Sequence, residues 1–284
     1  MRIFLLIFLV TTSLVGQDYF TERYQPFQPS IPSPETFLEY EIGSQHTRHD
    51  QIVAYLQELA EVSDQAEITY YGKTHEGRKL TLLIVSTSEN LAELKSIQKQ
   101  HLDYAEGRLE TRPDIPAIIN LAYNVHGNEP SSSEAALLAA YTLVASEDPQ
   151  IQSFRENAII FIDPTINPDG RDRHTQWANT RGRTNHYWFD LNRDWLLAIN
   201  PESQGKLNWY HQWYPNVVTD FHEMGTQSTY FFEPMKVNGS KDPIMPKDNY
   251  IKLNDLFATY FSENLDSIGS LYFTKEVFDG TYPG

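Results

Sequence analysis

Residues 119–146, INLAYNVHGNEPSSSEAALLAAYTLVAS, place a histidine and a glutamate between an apolar run and an alanine-rich run. The apolar run AIINLAYNV has the composition of a buried strand, and residues 131–146 have the pattern of a helix. His126 and Glu129 stand in the glycine-containing turn that joins the two. In α/β proteins ligands bind just beyond the carboxyl ends of strands. These two side chains are therefore the first candidates for a functional site.

The surrounding sequence predicts an α/β fold. Two further apolar, mostly β-branched runs, 157–167 and 215–221, follow the first, and the segment 200–214 between them has a helical pattern. Strands that alternate with helices predict a single domain with a mixed, largely parallel central sheet covered by helices on both faces. We also predict a helix at 49–63, a hairpin centred on 72–78, a last helix at about 248–267, and a long irregular polar loop over 167–190.

Composition narrows the class of partner. The chain has 284 residues, of which 40% are hydrophobic and 21% are charged, as in an ordinary globular protein. The net charge of -16 argues against nucleic acid and anionic membranes as partners. A few local arginines can still attract an anionic ligand to a cleft.

The N-terminal residues predict export. Arg2, the apolar run from Ile3 to Val10 and small residues near Gly16 resemble a secretory signal peptide, which we place at 1–16. A membrane anchor is the alternative, but this run is short for a membrane span. We predict an extended lead-in at 17–48, a folded domain at 49–284, and a secreted or periplasmic protein with no membrane association after signal cleavage.

A third histidine completes a candidate metal site. His222 closes the third predicted strand, so its side chain and those of His126 and Glu129 are expected at one edge of the sheet. Taken singly, the pair is typical of a satisfied surface turn, and His222 of a packed histidine at a strand end. Together they form a known catalytic zinc set, and with no cysteine in the chain a metal must be held by histidine and carboxylate. Zinc in such a site activates water and polarises a carbonyl oxygen.

Four motifs in order resemble those of the zinc metallocarboxypeptidases, the carboxypeptidase A-like family. They are H-x-x-E at 126–129, N-P-D-G at 167–170, D-x-N-R at 190–193, and His222 about a hundred residues after the first pair. The resemblance spans residues from about 50 to 284. It implies the α/β fold with a mixed sheet, one Zn²⁺ per chain, and hydrolysis of a peptide bond next to a free carboxylate.

The resemblance also implies roles for single residues. His126, Glu129 and His222 correspond to the zinc ligands. Asn192 and Arg193 correspond to the clamp on the terminal carboxylate of the substrate, a task that suits the two-pronged guanidinium group.

Two more groups of the family have counterparts here. Asp190 corresponds to the carboxylate that orients a ligand imidazole, which we expect to be that of His126. A further arginine of the family polarises the scissile carbonyl and stabilises the oxyanion. Arg181 and Arg183 both fit its position, and we prefer Arg181.

The general base is the main departure from the family pattern. In the family it is a glutamate on a late strand, preceded by a tyrosine on a mobile loop, and the chain ends only 62 residues after His222. We therefore expect the base beyond the end of the chain, with 49–284 forming the front part of a longer domain. Glu276 has a similar sequence context, but it precedes Tyr282, our candidate for the loop tyrosine, so the order is wrong.

Glu223 is a second candidate for a base, because it adjoins His222 as the base does in H-E-x-x-H proteases. Thr226 stands where that motif requires its second histidine. Neighbouring side chains in a strand also point to opposite faces, which favours a structural role for Glu223.

The sequence thus predicts a zinc-dependent metallocarboxypeptidase that hydrolyses peptide bonds next to a free C-terminal carboxylate with a zinc-activated water. The partner is a peptide or protein with a free C terminus. Two alternatives remain: a catalytically silent module that binds zinc and peptide, and an amidase that acts on small acyl-amino acids or cell-wall peptides.

Overall fold

A five-stranded mixed sheet forms the centre of the chain before Met224. The computed structural model describes residues 22–176, 182–225, 230–231 and 247–273. The strands are β1 (Ala66–Lys73), β2 (Lys79–Val85), β3 (Ala117–Tyr123), β4 (Ala158–Asp163) and β5 (Val217–Phe221), in the spatial order β1-β2-β4-β3-β5. β3 runs parallel to both β4 and β5, whereas β2 is antiparallel to β1 and β4. This arrangement confirms the mixed sheet and the hairpin.

Helices precede, connect and follow the strands. They are α1 (Pro34–Leu38), α2 (His49–Val62), α3 (Ser88–Ala92), α4 (Leu94–Ala105), α5 (Pro130–Ala145), α6 (Pro149–Asn157), α7 (Pro168–Gln176), α8 (Pro201–Trp213) and α9 (Lys247–Ser267). A single 3₁₀ turn covers Leu191–Arg193. The predicted helices at 49–63, 131–146, 200–214 and 248–267 are confirmed by α2, α5, α8 and α9.

The two faces of the sheet pack into separate apolar cores. Leu83 and Val85 of β2 face a core shared with α2 and α5, whereas their neighbours Leu82 and Ile84 face a core shared with α4 and α8. This alternation follows from the two-residue period of a strand. The helical cover on both faces confirms the predicted layering. In α8, Trp209 and Trp213 are buried against Phe161, with ring centroids 5.1 and 4.7 Å apart.

The first part of the polar segment after β4 is helical, which corrects the irregular loop predicted over 167–190 for residues 168–176. α7 occupies Pro168–Gln176, and the remainder through Asp190 lacks a described helix or strand. The side chain of Asn167 accepts a hydrogen bond from the Gly170 amide at 2.9 Å, so it caps the helix that Pro168 begins. The helix lacks an apolar stripe, and Asp169, Arg171 and Asp172 are instead buried in ion pairs with partners distant in sequence.

The predicted lead-in is partly helical and packed. α1 lies within 17–48, and Ile31 and Leu38 are buried in the core that contains α2. The contacts of the chain divide it at Glu223 into two compact units. This division falls inside the range 49–284 that the sequence assigns to one domain.

The second unit contains α9 and the short parallel pair β6 (Tyr230–Phe231) and β7 (Tyr272–Phe273). Within the described ranges no helix is both long and apolar enough to cross a membrane. The predicted signal peptide at 1–16 lies outside the described residues, and so do Arg181, Thr226, Glu276 and Tyr282.

Candidate metal centre

The turn between β3 and α5 is held by the side chain of Asn124. Asn124 has a φ of 58°, in the left-handed region that asparagine tolerates better than most residues. Its Nδ2 donates to the carbonyl oxygens of both His126 and Glu129, at 2.8 Å each. The Glu129 amide also donates to the His126 carbonyl at 3.0 Å, and Pro130 then begins α5. These bonds fix the backbone at both ends of the H-x-x-E motif.

Gly127 occurs where three stretches of backbone touch. A Cβ atom at this position would lie 2.1 Å from the carbonyl carbon of Gly170 and 2.4 Å from the carbonyl oxygen of Gly182. No side chain fits into such a space, so the motif requires glycine here. This backbone contact fixes the distance between the β3–α5 turn and α7.

The structure brings His126, Glu129 and His222 together beyond the carboxyl ends of β3 and β5. Nδ1 of His126 lies 2.8 Å from Oε1 of Glu129, and Nδ1 of His222 lies 3.0 Å from Oε2. The candidate ligand atoms of the three residues all lie within 4.8 Å of one another. His126 is buried, whereas the His222 side chain is 34% exposed, so the cluster opens on the His222 side.

Two aspartates lie behind the imidazoles. Nε2 of His126 lies 3.0 Å from Oδ1 of Asp190, the contact that the sequence led us to expect. Nε2 of His222 lies 2.9 Å from Oδ2 of Asp220, a residue that the sequence reasoning missed. The spacing of Asp220 and His222 could have predicted this contact, because residues two apart in a strand point to the same face.

The carboxylates set the charge of the cluster. Burial by itself raises the pKa of Glu129, but hydrogen bonds from His126, His222 and the Glu223 amide outweigh it and lower the pKa to about 2. Burial lowers the pKa of His222, yet the contacts with Asp220 and Glu129 raise it to about 10. The pKa of His126 is likewise raised, because the bonds to Asp190 and Glu129 exceed the effect of burial.

This donor set fits a divalent cation. Each imidazole presents Nδ1 to Glu129 while its Nε2 is held by an aspartate, the arrangement in which an outer carboxylate orients a histidine ligand. The carboxylates already stabilise positive charge on the two rings, and an ion among the same atoms would carry that charge instead. Two nitrogens and one carboxylate suit zinc with an open fourth position.

Of the two arginines considered for the scissile carbonyl, Arg183 is the one the structure describes. Its Nη2 lies 3.1 Å from Asp190 Oδ2, and its Nη1 lies 3.8 Å from Glu129 Oε1. The side chain is 44% exposed, so the guanidinium lies at the mouth of the cluster. The preference for Arg181 stays a prediction.

The two predicted clamp residues differ in placement. Nδ2 of Asn192 lies 3.3 Å from Nε2 of His222, so this side chain borders the cluster. Arg193 is exposed, and its Nη1 donates to the carbonyl oxygen of Asn192 at 2.9 Å.

Glu223 binds the start of α5. Its Oε2 accepts hydrogen bonds from the amide and hydroxyl of Ser131, at 3.0 and 2.7 Å. A carboxylate at this position also complements the positive end of the helix. These contacts support the structural interpretation of this glutamate.

A second group of candidate ligand atoms, from Glu76, Asp169 and His186, does not fit a cation. Arg78 forms ion pairs with both carboxylates, the one with Asp169 at 2.7 Å. Arg173 lies 3.3 Å from Glu76. Two guanidinium groups already balance the acidic charge, and they would repel a divalent ion.

A comparison with protein families identifies the family to which this chain belongs. The family model described as zinc carboxypeptidase matches residues 52–267, most of the chain. The chain therefore belongs to the zinc carboxypeptidase family, which confirms the resemblance drawn from the four motifs.

Two curated relatives show the degree of similarity. Carboxypeptidase 2 of Trichophyton rubrum is 25% identical over 198 residues, which cover 69% of this chain and 32% of the relative. Carboxypeptidase E of Caenorhabditis elegans is 30% identical over 178 residues, which cover 56% of this chain and 33% of the relative. The chain thus spans about a third of the length of these relatives.

Solved structures share the fold. Carboxypeptidase A from Helicoverpa armigera has a TM-score of 0.60 at 20% identity, covering 93% of this chain and 64% of that one. A metallo-carboxypeptidase from Burkholderia cenocepacia has a TM-score of 0.58 at 19% identity, covering 82% and 53%. Both support the predicted mixed α/β architecture.

Proposed function

We propose that this protein is a zinc-dependent metallocarboxypeptidase that hydrolyses peptide bonds next to a free C-terminal carboxylate. The convergence of His126, Glu129 and His222 within 4.8 Å, at the carboxyl edge of parallel strands, is the observation that carries the proposal. When bound, zinc supplies a Lewis acid that polarises a carbonyl oxygen and activates water.

The side chains around the cluster have separate tasks in this proposal. Asn192 and Arg193 bind the terminal carboxylate of the substrate. An amide N–H and a two-pronged guanidinium group are both good hydrogen-bond donors to a carboxylate. An arginine, Arg181 by our preference or Arg183 by its position 3.8 Å from Glu129, stabilises negative charge on the carbonyl oxygen. Asp190 keeps the His126 imidazole in the orientation and tautomer of a ligand.

Metal analysis combined with peptide hydrolysis tests the proposal. We expect one zinc per chain, release of the last residue from N-acylated peptides, and no release from the matching C-terminal amides. His222→Ala should lose both zinc and activity, because its side chain supplies one of three ligands. His211→Ala removes an exposed histidine on α8 and should retain both.

The outcomes separate the alternatives. Zinc without hydrolysis of any peptide, in a chain extended past Gly284 as well as in this one, would indicate the silent binding module. Cleavage of acyl-amino acids or cell-wall peptides alone would indicate the amidase. A wild-type chain that binds no zinc would contradict the proposal as a whole.

We propose that the protein acts outside the cytoplasm, in the periplasm or the medium, on peptides or proteins with a free C terminus. The charged and then apolar start of the chain, with Arg2 before Ile3–Val10, supports export. Sequencing the N terminus of protein recovered from those fractions tests this, with Gly16 or Gln17 expected near the cut.

A further inference from the structure

The orientation of the Asn192 amide is decided by Trp195. The oxygen and nitrogen of an asparagine amide are assigned from their hydrogen-bond partners and not from their shape. Nε1 of Trp195 lies 3.1 Å from Oδ1 of Asn192. An indole nitrogen can only donate, so the amide atom that faces it must be the oxygen. Nδ2 of Asn192 therefore faces His222.

His222 cannot accept a hydrogen bond from this amide. Its Nε2 lies 2.9 Å from the Asp220 carboxylate, which only accepts, so Nε2 carries a proton and donates it to Asp220. This holds whether Nδ1 of the same ring bears a proton or binds a metal. The 3.3 Å approach between Asn192 Nδ2 and His222 Nε2 is therefore a contact between two donors.

The NH₂ group of Asn192 consequently lacks an acceptor among the described residues. It lies at the edge of the candidate metal centre, next to a ring nitrogen that is itself a donor. An anionic oxygen beside the amide would supply the missing acceptor. The backbone of Asn192 is already fixed, because its backbone N–H donates to Asp190 Oδ1 at 3.0 Å.

We propose that Trp195 is a positioning residue that turns the Asn192 amide so that its NH₂ group meets the terminal carboxylate of a substrate. The inference rests on the proposed function, since it assigns the anion to a peptide C terminus. Without the indole donor the amide could rotate by 180° and present its oxygen to the carboxylate, which would repel it.

Substitution of Trp195 by phenylalanine removes the donor and keeps an aromatic ring. The ligands are N-acetyl derivatives of phenylalanine, lysine and glutamate, each as the free acid and as the amide, titrated calorimetrically into zinc-loaded protein. The wild type should prefer the acid of at least one pair. Trp195→Phe should weaken binding of that acid about fivefold, the value of one ordinary hydrogen bond, and leave the amide unchanged.

Two controls separate positioning from general damage. Trp188→Phe changes a tryptophan that is 71% exposed in the same segment, and it should bind the acid like the wild type. In an Asn192→Ala background, Trp195→Phe should add no further loss, because the two residues act through one contact. Zinc affinity should be equal in the wild type and all four variants.

The results that overturn the inference are distinct from those that overturn the function. A wild type without preference for any free acid would overturn both proposals. A preference that persists in full in Trp195→Phe would overturn the inference alone. If Trp195→Phe does not fold, hydrogen exchange of the Trp195 indole N–H provides the test. Exchange with solvent should be faster in Asn192→Ala than in the wild type. An unchanged rate would reject the contact between the two residues.

Discussion

Asp190 and Asp220 give the two candidate imidazole ligands the same kind of support. Each aspartate approaches Nε2 of its histidine to about hydrogen-bond distance, at 3.0 Å for Asp190 and 2.9 Å for Asp220. A carboxylate at Nε2 fixes the ring and makes Nδ1 a better donor to a metal. The two rings are therefore oriented by separate parts of the chain, the 3₁₀ turn and β5.

We predict that Asp220→Asn lowers zinc affinity about tenfold, the lower end of the range for such outer carboxylates. The Asp220 side chain is 43% exposed, and water can replace part of its support. Competition with a chromogenic chelator at fixed pH measures the effect. Glu67 is an exposed carboxylate on β1, at the opposite edge of the sheet from β5. Glu67→Gln removes the same charge there and should leave the zinc affinity unchanged. Equal affinities for Asp220→Asn and wild type would reject the role.

Single residues differed in how far the sequence could predict their positions. His126, Glu129 and His222 could be placed together because parallel strands end at one edge of a sheet. Asp220 was predictable from its spacing to His222 but was overlooked. Spacing could not decide between Arg181 and Arg183, because both lie between the N-P-D-G and D-x-N-R motifs and are only two residues apart. The contact of Asn192 with His222 depends on a turn that folds back over thirty residues.

At the scale of elements, the β3–α5 turn depends on close packing against α7. We predict that Gly127→Ala lowers the free energy of unfolding by about 3 kcal/mol, the cost of forcing extra volume into a packed interior. The added Cβ would lie 2.2 Å from the Arg171 nitrogen, so backbone has to move. Zinc affinity should fall with stability, because the displaced turn carries His126 and Glu129.

Chemical denaturation and chelator competition measure the two effects of Gly127→Ala. Gly72→Ala is the matched control. The added Cβ there would meet the end of the Leu80 side chain at 3.2 Å and the Cα of Gly205 at an ordinary contact distance of 3.8 Å, and the position has no unusual backbone angle. Its stability should stay within about 1 kcal/mol of the wild type. If Gly127→Ala and Gly72→Ala behave alike, the backbone contact does not constrain the turn.

The helix α7 shows why the sequence misled at this scale. Its central Arg171 is fully buried, and it donates to Glu134 at 2.7 Å and to the carbonyl of Thr47 at 2.9 Å. Both partners lie far away in sequence, so no local pattern reveals that the polar face is buried. The Asn167–Pro168 start signal was local and could have predicted the helix.

At the scale of the molecule, the sequence predicted the layers better than the order of the strands. Apolar runs identified β3, β4 and β5 because a strand buried on both faces needs no distant partner to be recognised. The order β1-β2-β4-β3-β5 depends on which edges pair, and pairing is decided by contacts between segments far apart in the chain.

The stability of the whole fold should depend on pH through His49. This residue is 4% exposed at the start of α2, where its Nε2 contacts the carbonyl of Lys79 at 3.1 Å. Burial lowers its pKa to about 4 from 6.5, against the opposing charge of Asp172 and with help from Arg78 and Arg171. The unfolded chain binds a proton at higher pH than the folded chain does, so stability falls as the pH drops from 6.5 toward 4.

We predict that this loss amounts to about 3 kcal/mol, since each pKa unit corresponds to about 1.4 kcal/mol. Urea denaturation at a series of pH values measures the free energy of unfolding. Between pH 6.5 and 4 it should fall less steeply for His49→Gln than for the wild type, because glutamine carries no charge at any pH. His211→Gln, at an exposed site on α8, should keep the slope of the wild type. Parallel acid limbs for wild type and His49→Gln would contradict the prediction.

The bare backbone junction at Gly127, Gly170 and Gly182 has a consequence for redesign. Side-chain repacking can usually absorb small shifts between elements, but here the spacing is set by the radii of main-chain atoms. Residues inserted between Gly182 and Asp190 would therefore alter the geometry behind His126. By contrast, Leu196 and Leu197, which are 93% and 74% exposed, can be exchanged without disturbing this junction.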